Sequence, residues 1–199
     1  MSFVIIFLLN ITSTFVSSND QYCLSAEMSG GTAFKAVEFT LMDGNTELYR
    51  VYDPGVHTFF VSDRGTVFAL GERYAVFYDR TGRCDTLISI VHVNNSGFSE
   101  HHDLFYVSMR DGMYVYTLDG AFLYTLLPGR LLAGTESGKH IAAISDDTLR
   151  LYTEGVLIHT VILETAYVRG LNLGEDGTVC VEEAGGMEVF DMMSGRKVE

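Results

Sequence analysis

The sequence predicts an all-β protein, and two repeating patterns carry that prediction. Five glycines, each after a small or acidic residue, recur at intervals of 38, 38, 35 and 40 residues. Upstream of each glycine an aromatic residue closes a short apolar run, and these aromatics recur at intervals of 38, 39, 36 and 38 residues. The glycines are Gly44, Gly82, Gly120, Gly155 and Gly195, and the aromatics are Phe39, Phe77, Tyr116, Tyr152 and Phe190. A period of about 40 residues that holds only strand-length segments is typical of the blades of a β-propeller.

Within one period the pattern resolves into four strands. In the unit around Gly155 the apolar runs cover residues 131–136, 140–145, 149–153 and 156–163, and short turns with Gly, Asp and Ser separate them. The runs are rich in β-branched and aromatic residues, and glycine adopts the positive φ that tight hairpins require. Four short runs joined by three tight turns predict an antiparallel meander, which is one blade.

The same scheme divides the chain into five repeat units. They cover residues 11–53, 54–92, 93–128, 129–164 and 165–199, with an insertion in the first unit around residues 29–32. We therefore predict a β-propeller of about five four-stranded antiparallel blades, within the known range of roughly four to eight blades. The last unit stops soon after its outer strand begins. Two arrangements are therefore compatible with the sequence, a closed ring and an incomplete one. An incomplete ring would leave blade faces and edges uncovered, which favours self-association.

Two third-strand segments resemble a known type of repeat. Val189-Phe190-Asp191 with Ser194-Gly195 resembles the third-strand signature of WD40-type repeats, with Phe190 at the usual tryptophan, and residues 76–82 (VFYDRTG) are similar with one extra residue. The chain has no tryptophan and no Gly-His pair opening each unit, so the hydrogen-bonded Asp-His-Ser/Thr-Trp set is missing. It is similar in fold to divergent WD40-like or YVTN-like propellers. The resemblance implies no functional residue, and the Trp-docking repeats of quinone-cofactor propellers are also missing, so no cofactor is expected.

Composition favours one propeller domain over residues 19–199. The chain has 199 residues with 47% apolar content, and its two prolines, Pro54 and Pro128, do not mark a linker. Twenty-six acidic against thirteen basic side chains give a net charge of −13. Because no cluster of Lys and Arg is present to neutralise phosphates, binding to nucleic acid or to an anionic membrane is disfavoured. The acidity mainly indicates solubility.

The N-terminus has two interpretations. Residues 3–9 (FVIIFLL) form a continuous apolar run, and Val16-Ser17-Ser18 supplies the small residues of a signal-peptidase site, which predicts a signal peptide over residues 1–18 and an extracytoplasmic protein. No Lys or Arg precedes the run, which is too short for a membrane span of about 20 residues. Alternatively, residues 3–9 are an outer strand and residues 11–17 the innermost strand of the first blade, as expected for a cytoplasmic protein or a fragment of a larger cytoplasmic WD40-like protein.

No catalytic, metal or cofactor residue is predicted. Cys23, Cys84 and Cys180 lie in different units without CxxC spacing, which disfavours zinc. His101-His102-Asp103 is the densest set of metal-ligand types, but adjacent residues on an extended chain point apart. No nucleophile, metalloprotease or phosphate-loop motif is present.

Two functional hypotheses follow from the fold. The first is a non-enzymatic binding or scaffold module for a protein or peptide, because the loops between second and third strands lie on the same rim as the links between blades, and loops on a rigid scaffold often carry binding residues. The predicted binding rim consists of Glu72, Arg73, Arg110, Asp111, Asp146 and Asp147. The second is a hydrolase or lyase with carboxylates in the channel, for which the inner strands offer Glu100 and Glu136.

Overall fold

The computed structural model describes residues 10–29, 35–53, 55–71, 73–89, 93–99, 104–135, 137–164 and 167–198. Over these residues the secondary structure consists of strands, without a helix. The chain divides into two compact units, residues 1–90 and 91–199. The first unit holds two antiparallel sheets and the second holds three.

The strands follow the predicted repeat. Sheet 1 consists of β1 Asn10–Val16, β2 Tyr22–Ser29, β3 Lys35–Asp43 and β4 Thr46–Tyr52, and sheet 2 of β5 Val56–Val61, β6 Val67–Gly71, β7 Tyr74–Tyr78 and β8 Cys84–Ser89. Sheet 3 consists of β9 Val93–Phe98, β10 Leu104–Met109, β11 Met113–Thr117 and β12 Phe122–Leu126, and sheet 4 of β13 Leu131–Gly134, β14 His140–Ser145, β15 Thr148–Thr153 and β16 Val156–Ile162. Sheet 5 consists of β17 Val168–Leu173, β18 Thr178–Glu183 and β19 Gly186–Asp191. In every sheet each strand pairs with the next one in sequence, so the all-β prediction of about five antiparallel sheets is confirmed.

A buried hydroxyl closes the hairpin between the first and second strands of four sheets. The hydroxyl of Ser62 accepts a hydrogen bond from the Thr66 N–H at 3.0 Å, while the Ser62 N–H donates to the Thr66 carbonyl at 2.9 Å. Ser17, Ser99 and Thr135 make the same pair of bonds to Tyr22, Leu104 and His140. All four side chains are buried, so each hydroxyl supplies the partner that a buried N–H needs.

The glycines of the repeat lie in the turns after the third strands. Gly82, Gly120, Gly155 and Gly195 have φ values of 77°, 82°, 78° and 65°, which confirms the predicted positive φ. In this left-handed region a side chain would crowd the backbone. Glycine therefore recurs in the sequence because each of these turns requires a residue with positive φ.

The core of the first unit lies between sheets 1 and 2 and is largely aromatic. The ring of Phe39 in β3 lies 4.9 Å from that of Phe59 in β5 and 5.2 Å from that of Tyr78 in β7. Phe15 of β1 also contacts Phe59, with ring centroids 5.4 Å apart. The strand β1 is thus part of this core. The predicted signal or strand at residues 3–9 lies outside the described residues.

Two further cores lie within the second unit. One, between sheets 3 and 4, includes Met113, Val115 and Tyr152, and the other, between sheets 4 and 5, includes Leu151 and Phe190. Side chains of β13 and β14 alternate between these cores, because successive side chains point to opposite faces of a sheet. This alternation explains why β13 and β14 consist almost entirely of small and apolar residues.

The prediction that all five repeat aromatics are equivalent is confirmed for the strand but is wrong for the face of the sheet at Phe39 and Phe77. Phe39 belongs to the core that faces the following sheet. All five lie in third strands and are at most 3% exposed. Phe190 belongs to the core that faces the preceding sheet, whereas in sheet 2 the side chains facing the preceding sheet are Val76 and Tyr78. Phe77 points to the opposite face and packs on Phe68 at 4.8 Å. The turn of sheet 5 has one residue more between its aspartate and its glycine, so counting back from the glycine shifts the alignment by one position and changes the face.

Sheet 5 has three full strands among the described residues. After β19 the chain turns back, and Phe190 forms a single antiparallel bridge with Lys197. The Val198 N–H then donates to the Val189 carbonyl at 2.7 Å. Residues 196–198 therefore follow the path of a fourth strand, as the short outer strand of the sequence prediction indicates.

Candidate functional site

The links between sheets and the loops between second and third strands lie at the same end of each sheet. In sheet 4 the Arg130 N–H of the preceding link donates to the Ile144 carbonyl, and the Leu163 N–H of the following link donates to the Asp147 carbonyl, each at 2.7 Å. The loop at Asp146 is thus flanked by both links. For the second unit we name this end the link rim, and it comprises residues 110–112, 127–130, 146–147, 162–164 and 167.

The structure locates five of the six predicted binding residues. Arg110, Asp111, Asp146 and Asp147 are exposed and belong to the link rim of the second unit. Arg73 is exposed in the corresponding loop of the first unit, and Glu72 lies outside the described residues. These positions match the predicted topology of the loops, and whether they bind a partner stays a prediction.

The link between sheets 3 and 4 is held by side chains from both sheets. Three consecutive carbonyls accept these bonds: Pro128 from Arg150 Nη1 at 3.0 Å, Gly129 from Ser108 Oγ at 2.5 Å, and Arg130 from Asn95 Nδ2 at 2.6 Å. The polar backbone of a surface loop is thereby fixed without regular secondary structure. Side-chain hydrogen bonds from two sheets thus hold the backbone of this link.

The side chain of Arg130 extends this network to the next link. Its Nη1 donates to the Val168 carbonyl at 3.1 Å, at the start of β17. Sequence reasoning missed these residues, because their partners are backbone carbonyls and no motif marks such bonds. Of the set, only Arg130 stands beside a recognisable turn, Pro128-Gly129.

A different arrangement holds the link of the first unit. Both carboxylate oxygens of Asp53 accept tyrosine hydroxyls, Oδ1 from Tyr74 at 2.6 Å and Oδ2 from Tyr78 at 3.0 Å, and Oδ1 also accepts the Gly55 N–H at 3.0 Å. Burial first, and then the bond to Asp53, raises the pKa of Tyr74 to about 12. Burial also raises the pKa of Tyr78, with a further contribution from the Asp53 charge. Because both phenols stay protonated at neutral pH, they remain donors to this carboxylate.

Exposed apolar side chains lie on the link rim beside the charged loops. Leu127, Ile162 and Tyr167 are 49%, 67% and 80% exposed. Two other exposed apolar side chains of the second unit, Phe122 and Val156, lie at the opposite end, where β12 and β16 begin. The rim therefore combines exposed apolar area with both signs of charge.

The described residues hold no group of three or more His, Cys, Asp or Glu side chains that could bind a metal ion. The predicted ligand-type cluster at residues 101–103 and the channel carboxylates Glu100 and Glu136 lie outside these residues. The three cysteines are free, and Cys84 is exposed. Within the same described ranges, no helix has the length and apolar character needed to cross a membrane.

Comparisons with known proteins agree with the architecture. No model of a protein family matches the chain, and no curated protein matches it in sequence. The crystal structure of Kluyvelomyces marxianus Hsv2 is similar with a TM-score of 0.52 and 11% identity, over 92% of this chain and 77% of that chain. KlHsv2 with loop 6CD replaced by a Gly-Ser linker is similar over 96% of this chain and 83% of that chain, with 12% identity and a TM-score of 0.42.

Hsv2 is a yeast β-propeller, and the likeness shows the fold of the present chain. The chain is thus a β-propeller protein, whose blades are antiparallel sheets of three or four strands. The propeller predicted from the spacing of glycines and aromatics is confirmed. At this level of identity the likeness concerns the fold alone.

Proposed function

We propose that this chain is a non-enzymatic propeller module that binds a protein or peptide partner through the link rim of its second unit. The observation that carries the proposal is the exposure of Ile162 and Leu127 beside the charged loops at Asp111 and Asp146. Burying such apolar side chains on association is favourable at about 25 cal/mol per Å². The flanking charges then select the partner and its orientation.

The hydrogen bonds that hold the links of the rim support this proposal. Three carbonyls of the 127–130 link accept hydrogen bonds from side chains, and Arg130 connects that link to the next one by donating a hydrogen bond to the Val168 carbonyl. A surface that is already ordered loses little conformational entropy on binding. A mobile loop of the same composition would bind more weakly.

The repeats themselves belong to this proposal as divergent WD40-like units. The carboxylate Oδ1 of Asp79 accepts the Thr81 hydroxyl and N–H, and Oδ1 of Asp191 accepts the Ser194 hydroxyl and N–H. Both aspartates directly follow the third-strand aromatics Tyr78 and Phe190. The same Asp-turn-Gly arrangement in two blades supports a common repeat of WD40 type.

An extracytoplasmic location is a separate part of the proposal and rests on the apolar run at residues 3–9 with Val16-Ser17-Ser18. Cleavage after Ser18 would also remove β1, which packs in the core of the first unit, so this part is tested apart from the binding rim. The intact mass of the protein recovered from its native host tests it. Removal of a signal would shift the mass by the lost residues. A mature chain that retains Met1 would contradict export by a cleaved signal.

One strand offers a matched test of the rim. Ile162 and Val156 are 67% and 65% exposed at opposite ends of β16, so Ile162→Glu and Val156→Glu make the same chemical change at the two ends of the blade. Immobilised full chains of both variants and the unchanged protein are compared for the proteins they capture from native extract, with quantification by mass spectrometry. We expect the Ile162→Glu chain to lose a specific partner that the Val156→Glu chain retains. Equal capture by both variants would contradict the rim as the binding surface.

A further inference from the structure

A cavity in the second unit is lined by residues of the first strands of its three sheets and of the second strands β10 and β18. Its volume is about 300 Å³. Its walls come from all three sheets and combine apolar side chains, Phe98 and three leucines, with the charged side chains of Arg169 and Glu182. The lining residues are Phe98, Tyr106, Leu131, Leu132, Arg169, Gly170, Leu171 and Glu182.

The size of the cavity restricts the ligand. Pockets for small molecules generally measure about 300 to 1,000 Å³, so this cavity is at the lower limit. A ligand that fills it has the size of an amino acid. The leucines and the Phe98 ring provide contact for an apolar side group.

Two features of the backbone bring Arg169 and Glu182 to the same edge of the cavity. The register of β17 and β18 shifts from Val168 opposite Glu183 to Gly170 opposite Glu182, so Arg169 is the extra residue of a bulge. Bulges of this kind re-aim a side chain. A Cβ at Gly170 would lie 3.1 Å from Oε2 of Glu182, so the missing side chain leaves room for the carboxylate over β17.

Both charges are available to a ligand. Arg169 and Glu182 are exposed, and neither takes part in the ion pairs or side-chain hydrogen bonds found between residues that the structure describes. A guanidinium binds a carboxylate in a bidentate fork, and a carboxylate accepts from an ammonium group. One guanidinium and one carboxylate beside a ring and three leucines are complementary to a small zwitterion with an apolar side group.

We infer that this cavity is a binding site for a free α-amino acid with an apolar side chain. The ligand carboxylate pairs with Arg169, its ammonium group with Glu182, and its side chain occupies the space between Phe98 and the leucines. The site is distinct from the link-rim residues that the proposed function uses, so its ligand can be tested without the protein partner. It adds a second, small-molecule activity to the binding module.

Three probes with the same aromatic side group test the site. Titration calorimetry of the full chain compares L-phenylalanine with N-acetyl-phenylalanine, which lacks the ammonium charge, and with phenylalanine amide, which lacks the carboxylate. We expect saturable binding of L-phenylalanine, weakened at least about tenfold in each of the two derivatives, because each loses one charge pair. Binding of either derivative as tight as that of L-phenylalanine would overturn the assignment. So would no saturable heat with L-phenylalanine up to about 10 mM, a concentration that detects even weak complexes.

Single variants assign the two charges. We expect Arg169→Gln to weaken the binding of L-phenylalanine about tenfold and to leave the binding of phenylalanine amide unchanged. We expect Glu182→Gln to weaken the binding of L-phenylalanine and to leave the binding of N-acetyl-phenylalanine unchanged. Arg196→Gln and Glu154→Gln, at exposed loop positions outside the cavity, serve as matched controls and should bind L-phenylalanine as the unchanged chain does. Equal effects of Arg169→Gln on all three probes would show that the arginine does not hold the carboxylate, which would overturn the proposed pose.

Discussion

Gly82 in the turn after β7 lies against the ring of Tyr49 in β4, so that a Cβ at Gly82 would stand 2.8 Å from Cγ of that ring. The same contact recurs in the second unit, where Gly155 lies against Tyr124 and Gly195 against His159. In each case the turn glycine of one blade contacts a ring from the outer strand of the preceding blade. The glycine repeat thus reflects close approach between blades as well as positive φ.

This relationship predicts unequal costs for two glycine substitutions. Gly82 and Gly44 both have positive φ, 77° and 55°, but a Cβ at Gly44 would meet no atom within 4 Å. We expect Gly44→Ala to lower the free energy of unfolding by about 1 kcal/mol through backbone strain alone, and Gly82→Ala to lower it by about 2 to 4 kcal/mol because it also displaces the Tyr49 ring. Urea unfolding of both variants measures the difference. Equal losses would mean that the ring moves aside without cost.

The third-strand aromatics support a second prediction. Phe77 is 2% exposed and packs on Phe68, so Phe77→Ala should lower the free energy of unfolding by about 3 to 5 kcal/mol, as large truncations in cores do. Tyr52→Ala, at a residue 67% exposed in β4, is the control and should change it by less than about 0.5 kcal/mol. An unchanged thermal midpoint for Phe77→Ala would contradict the burial of this ring.

The limits of the sequence prediction have physical causes. The strands and turn glycines could be predicted, because the apolar runs recur at a regular period and because positive φ selects glycine at the turns. The face to which Phe77 points could not, since one extra turn residue moves a side chain across the sheet. Likewise the loops at Arg110 and Asp146 could be assigned to one end by topology, but the link network of Arg150 and Asn95 could not, because side chains that bond distant carbonyls follow no spacing.

The hairpin hydroxyls give a third prediction. Ser62 is 2% exposed and its hydroxyl accepts the buried Thr66 N–H. Ser62→Ala leaves that N–H without its side-chain acceptor and should lower the free energy of unfolding by about 1 to 2 kcal/mol. Ser62→Thr keeps the hydroxyl, and we expect it to retain most of the stability in the same denaturation experiment. A threonine variant as unstable as the alanine variant would point to packing in place of the hydrogen bond.

The hydrogen bonds of Asp79 make the stability of its turn depend on pH. The hydroxyl of Thr81, then its N–H and that of Arg83, lower the pKa of the Asp79 carboxyl below its usual value. A carboxyl with a lowered pKa in the folded state stabilises the fold above the pKa of the unfolded chain, and this contribution disappears as the pH falls through the folded value. Thr81→Val removes the first of these donors and should move the pKa upwards, which carboxyl chemical shifts from NMR titration measure directly. A pKa that stays in place in this variant would assign the shift to the backbone donors.

The last prediction concerns β1 and the two interpretations of the N-terminus. The strand Asn10–Val16 pairs with β2 along its whole length, and Phe15 packs on Phe59 of the neighbouring sheet. A chain that begins at Asn19 lacks β1 and exposes the edge of β2, together with the face that holds Leu24. We expect it to melt at a lower temperature and with less cooperativity than the full chain, and to aggregate through the open edge. A chain that begins at Asn10 keeps β1 and is the matched control, with thermal melting and size-exclusion chromatography as readouts. If the Asn19 chain is monomeric and has the same melting temperature as the full chain, β1 is dispensable and cleavage after Ser18 is compatible with the fold. If the Asn19 chain unfolds and the Asn10 chain does not, the inner strand belongs to the mature protein.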